Sequence, residues 1–69
     1  EVRQMNNISE RMKKYDLPKG VEKMLFTASM KPFPFIREEV LISKCAGNIK
    51  LIDLTVKAAK VEFGIEIRA

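Results

Sequence analysis

The sequence predicts a small α+β domain: a small sheet with an N-terminal helix and a helix-turn-helix pair packed on one face. Three observations carry that prediction. Val2, Met5, Ile8, Met12 and Tyr15 recur at helical steps, giving an apolar stripe on one side of the first segment. Val61, Phe63, Ile65 and Ile67 alternate strictly with Glu62, Gly64, Glu66 and Arg68, the pattern of a strand half buried on one face. Between them, proline and glycine punctuate the chain at 16–20, 31–35 and 47. With 69 residues a single domain, 1–69, is the expected count. It divides into an N-terminal helix over 1–16 and a β-α-α-β core over 21–69. Glu1, where an initiator methionine is expected, fits a domain excised from a larger protein.

Each element has a local reason. In the first helix Arg3, Glu10, Arg11, Lys13 and Lys14 take the polar faces, and the late lysines complement the negative end of the helix dipole. Asp16-Leu17-Pro18-Lys19-Gly20 stops it, because a residue before proline is pushed out of helical geometry and glycine accepts positive φ. Residues 23–29 then read as a strand on Leu25, Phe26 and Thr27, although Glu22, Lys23, Met24 and Ala28 also suit a helix. Two prolines around Phe33 make a stiff extended connector. A helix over 34–46 follows, with Pro34 at its start and Glu38 and Glu39 near its positive end. Phe35, Ile36, Val40, Leu41 and Cys45 supply its buried side, and Gly47 with Asn48 ends it.

Residues 48–60 admit two readings. Asn48 caps a helix with Ile49, Ile52, Val56 and Ala59 on one side, or Ile52, Leu54 and Val56 alternate as a strand. The helix is preferred, because Lys57-Ala58-Ala59-Lys60 is good helix sequence and a poor turn.

Composition narrows the chemistry. The chain is 46% hydrophobic and 32% charged, which describes a globular protein rather than a disordered one. Its net charge of +4 is spread evenly, with four or five cations and three anions in each third of the chain. That balance permits a polyanionic partner without demanding one. There is no histidine, so neither a Cys–His pair nor a Ser–His–Asp triad can form within the chain. One cysteine supplies neither a disulfide nor a zinc site, and the three glycines are too far apart to cradle a phosphate. No cofactor and no enzymatic activity are expected. The lone cysteine fits a reducing, cytoplasmic setting, and no apolar run approaches the ~20 residues of a membrane span.

One string carries a family likeness. Ile42-Ser43-Lys44-Cys45-Ala46-Gly47-Asn48-Ile49-Lys50-Leu51-Ile52 resembles the central signature of KH domains, where an isoleucine precedes a Gly-x-x-Gly loop and Ile-Lys-x-Ile opens the next helix. Ala59-Lys60-Val61-Glu62-Phe63 looks like the Ala-Lys-Ile-x-Ile that opens that family's following strand. The likeness spans about residues 23–67. It implies a KH-like layout in which the loop between two helices clamps single-stranded RNA or DNA. On that resemblance Ser43, Lys44, Cys45, Ala46 and Lys50 are the nucleic-acid contacts, Lys57 and Lys60 extend the basic side, and Ile49 and Ile52 floor a groove. The chain departs from the family pattern at both loop glycines, replaced by Ser43 and Ala46, whose Cβ atoms obstruct close approach to a phosphate.

Two other readings compete. Strand 23–29 pairing across a two-fold axis, followed by two helices, makes a ribbon-helix-helix homodimer that directs Lys23, Leu25 and Thr27, or Met24, Phe26 and Ala28, toward DNA. A protein-docking module or small subunit instead uses the apolar stripe of the first helix together with Phe33 and Phe35.

Overall fold

The computed structural model describes residue 10 and residues 12–69. The fold class is α+β, as expected, but the order from residue 19 onward is α-β-α-α-β. Helix α1 is Lys19–Ser29, strand β1 Phe35–Arg37, helix α2 Glu38–Lys44 and helix α3 Ile49–Ala58; a π-helical segment, Ala59–Phe63, leads to strand β2, Glu66–Arg68. Most of the expected N-terminal helix, with Val2, Met5 and Ile8, lies outside the described residues. Within them, Met12 and Tyr15 are buried as their stripe requires.

The expected strand over 23–29 is overturned. Val21, Leu25 and Ala28 are buried at four- and three-residue steps, and that period decides the segment against the β preference of Leu25-Phe26-Thr27. Glu22 in the first turn of α1 favours the helix electrostatically. Phe26 packs edge-on against Phe63, with ring centroids 5.2 Å apart and planes at 81°. The ribbon-helix-helix layout falls with this strand, since Lys23 to Ser29 form no ribbon.

The helix expected over 34–46 begins later, at Glu38. Pro34 precedes a strand instead: its carbonyl accepts the Glu66 N–H at 3.1 Å, and β1 pairs in parallel with β2 in the register Phe35–Glu66, Ile36–Ile67, Arg37–Arg68. Ile36 points into the core, with Ile67 half-buried beside it, while Phe35, Arg37, Glu66 and Arg68 take the outer face. Arg68 lies over the Phe35 ring, 4.4 Å from its centroid, and forms an ion pair with Glu66.

The preferred helix at 48–60 is observed over Ile49–Ala58. The strand expected over 61–67 contracts to Glu66–Arg68. Ala58 and Ala59 carry the helical conformation onward into a wider π turn that ends only at Gly64, which takes φ +66°. The π turn directs Glu62 and Phe63 back onto the body. Tyr15 Oη donates to Glu62 Oε2 at 2.9 Å, and Lys14 Nζ stands 3.5 Å from the same oxygen.

The core gathers Met12, Val21, Leu25, Leu41, Cys45 and Ile65 with Ala58 and Ala59 around the inner face of the sheet. Removing a buried leucine such as Leu25 or Leu41 to alanine costs ~2–5 kcal/mol in sites of this kind. Among the described residues, no helix is long and apolar enough to cross a membrane.

Candidate functional site

The turn between α2 and α3 is built by a Schellman motif. Gly47 N–H donates to Ile42 C=O and Ala46 N–H to Ser43 C=O, each at 3.1 Å, satisfying carbonyls that the end of α2 leaves open. Ala46 and Gly47 both take left-handed backbone, φ +52° and +72°. Asn48 then starts α3, with its side-chain oxygen accepting the Leu51 N–H at 3.2 Å. Asn48 N–H closes the turn onto Cys45 C=O at 3.0 Å.

The residues expected to form the binding loop fall into three places. Ser43 and Lys44 are exposed but belong to the last turn of α2, so the turn itself lies further along, at 45–48. Ala46 is in the turn and exposed, and Lys50 is the second residue of α3, also exposed. Lys44 and Lys50 therefore flank the turn from its two sides. Lys57 and Lys60 are exposed at the far end, Lys57 in the last turn of α3 and Lys60 in the π segment. At 1.5 Å rise per residue, Lys57 is roughly 10 Å along the axis from Lys50, so this pair does not join the turn.

Cys45 is corrected from contact to scaffold. It is 1% exposed, and its thiol lies 3.6 Å from Thr55 Oγ1. The Thr55 hydroxyl hydrogen is already directed to Leu51 C=O at 2.7 Å, so the thiol is the donor to Thr55. A second correction concerns Ile49, expected as groove floor or core: it is 74% exposed, because Asn48 starts the helix with Ile49 on its outer side. Ile52 is half-buried.

The N-terminus of α3 carries no acidic residue in its first turn. Asn48 satisfies the Leu51 N–H, and the amides of Ile49 and Lys50 precede the first intrahelical donor, Ile52 N–H to Asn48 C=O at 2.8 Å. The positive end of the helix dipole, Lys50 and Lys44 thus bear on one exposed turn.

Sequence reasoning missed a neighbouring feature. A groove of about 490 Å³ runs between α1, β1 and α2. Lys23, Lys31, Arg37 and Lys44 stand along it, and no acidic residue is in its lining. Met24, Ile36 and Val40 contribute its apolar surface. The exposed Arg37 guanidinium approaches Glu39 at 4.0 Å, a surface contact of little strength. The signal was present in part as Lys23 and Thr27, one turn apart on α1, with Lys31 just past its end, but it is invisible once 23–29 is taken as a strand.

Compared with known proteins, the chain matches no protein-family model, no curated protein and no solved structure.

Proposed function

We propose that this chain is a non-enzymatic nucleic-acid-binding module of KH-like character, which takes the backbone of single-stranded RNA or DNA at the α2–α3 turn. The observation that carries the reading is the exposed stretch 46–48 of the turn, flanked by Lys44 and Lys50 and headed by the α3 N-terminus with no carboxylate in its first turn. A phosphate there meets two ammonium groups and the N–H groups of Ile49 and Lys50. The left-handed backbone at Ala46 and Gly47 supports a sharp turn of the kind such clamps use. The exposed Ile49 side chain supplies an apolar contact for a base beside the phosphate site. The free, buried Cys45 fits a reducing, cytoplasmic setting.

The test is binding of the 69-residue chain to a mixed-sequence single-stranded oligonucleotide, followed by fluorescence anisotropy across a salt series. Affinity falls as salt rises, and neutralising each phosphate-contacting lysine lowers the log–log slope by about 1. Lys44→Glu with Lys50→Glu abolishes binding and leaves the circular dichroism unchanged, since both side chains are exposed. Absence of binding at low salt, or binding indifferent to the double substitution, removes the reading.

A further inference from the structure

We infer that the groove beside β1 accepts an extended acidic segment of a partner protein, which adds to the sheet as a third strand. This goes beyond the nucleic-acid reading, and its decisive residues lie outside the α2–α3 turn.

The first support is the edge of β1. In the parallel pairing, Pro34 C=O receives Glu66 N–H, and the register Phe35–Glu66 and Ile36–Ile67 assigns the backbone groups of Ile36 to β2. By alternation the N–H and C=O of Phe35 and the N–H of Arg37 face the opposite edge. Arg37 C=O is committed to opening α2, of which Arg37 is the N-cap. Among the described residues the sheet has two strands, so this edge of β1 has no strand against it. Such a row of backbone groups is a template for strand addition.

The second support is what borders that edge. Phe35, Ile36 and Arg37 all line the groove, so the strand that carries the open edge forms one of its walls. Opposite it α1 contributes Lys23 and Met24 to the lining, and Lys31, just past the end of that helix, adds a second cation. An extended occupant alternates its side chains between two directions. Side chains directed at Met24 and Val40 are apolar, and those within reach of Lys23, Lys31, Arg37 or Lys44 are acidic. Charge complementarity selects the occupant: with Lys23, Lys31, Arg37 and Lys44 in the lining and no carboxylate among them, a basic or neutral strand gains nothing there. A methionine in the contact surface adapts to apolar side chains of different shape.

The probe is an eight-residue peptide alternating glutamate and valine, titrated into the full chain, with a lysine–valine peptide as its control. The expected result has three parts. The acidic peptide binds and the basic one does not. Amide exchange at Phe35 and Arg37 slows on binding. Lys23→Glu with Lys31→Glu weakens binding roughly tenfold or more, as reversal of two exposed charge contacts does, while oligonucleotide binding at the α2–α3 turn is retained. No binding of the acidic peptide at low salt overturns the proposal. So does binding that leaves the Phe35 and Arg37 amides unprotected. Protection of the same amides by a second copy of the chain at high concentration, or by the single-stranded oligonucleotide, assigns the groove to that occupant and overturns it equally.

Discussion

The thiol of Cys45 lies 3.6 Å from the hydroxyl oxygen of Thr55, and this contact joins the end of α2 to the middle of α3 where neither residue is more than 1% exposed. The two helices are fixed to each other from beneath, while the turn that connects them stays open above.

It follows that Cys45 is shielded in the folded protein. Its alkylation by iodoacetamide requires opening of the core, and for a domain of ~3 kcal/mol stability the reaction runs on the order of 100-fold slower than for an unfolded thiol. A rate equal to that of the chain in denaturant means the α2–α3 contact is not formed.

Ala46 and Gly47 make a matched pair of backbone tests. Ala46 carries a Cβ at φ +52°, a conformation that costs a side-chain-bearing residue ~1–2 kcal/mol relative to glycine. Ala46→Gly therefore stabilises the domain by about 0.5–1 kcal/mol after the added freedom of the unfolded chain is counted. Gly47→Ala acts in the opposite sense by a similar amount; an added Cβ there meets nothing within 4 Å, so the cost is conformational alone. Denaturation midpoints of the two variants on opposite sides of the parent are the expected outcome, and a shift of both in one direction contradicts the left-handed turn.

Asn48 is the side-chain cap of α3. Asn48→Ala leaves the Leu51 N–H without its partner and costs ~1 kcal/mol, or about 4–8 °C in a domain of this size. Thermal melting followed at 222 nm checks it. Asn48→Ser, which keeps an acceptor, recovers most of the loss.

Tyr15 and Glu62 stand 47 positions apart in the chain yet share a 2.9 Å hydrogen bond, with the Glu62 side chain only 3% exposed. Tyr15→Phe withdraws a donor from a nearly buried carboxylate and costs about 1–3 kcal/mol. Equilibrium unfolding in urea measures it; a change below experimental error means that the hydroxyl contributes nothing to holding the π turn against the residues before α1.

Where local chemistry and tertiary demand agree, the sequence reads correctly. Asn48 and the run Lys57-Ala58-Ala59-Lys60 announce α3, and Glu38 with Glu39 announces the first turn of α2. The misreadings arise where they disagree. Leu25-Phe26-Thr27 prefers a strand, yet Val21, Leu25 and Ala28 must reach one core from one face, and burial outweighs a preference worth a fraction of a kcal/mol. Phe35-Ile36-Arg37 has no alternation long enough to register as a strand, and only its partner at Glu66–Arg68 makes it one. Val61 and Phe63 alternate convincingly, but a helix arriving through two alanines does not stop until Gly64 releases it. The exposed junction between α2 and α3, with Ser43 and Lys44 before it, Ala46 in it and Lys50 after it, was legible because it is built from neighbours in the chain. Lys23, Lys31 and Arg37 were not, since their common groove exists only after α1 has been folded against β1.

The two strands that close the sheet are separated by everything the helical pair and the π turn contain, and they run the same way. A ribosome extrudes α1, β1 and α2 while the mate of β1 is still unmade, so the nascent chain presents Phe35 and Ile36 uncovered until Ile65 and Ile67 emerge. Sheet closure therefore waits until Glu66–Arg68 have been made, and whatever contacts the growing polypeptide before then meets that bare ribbon first.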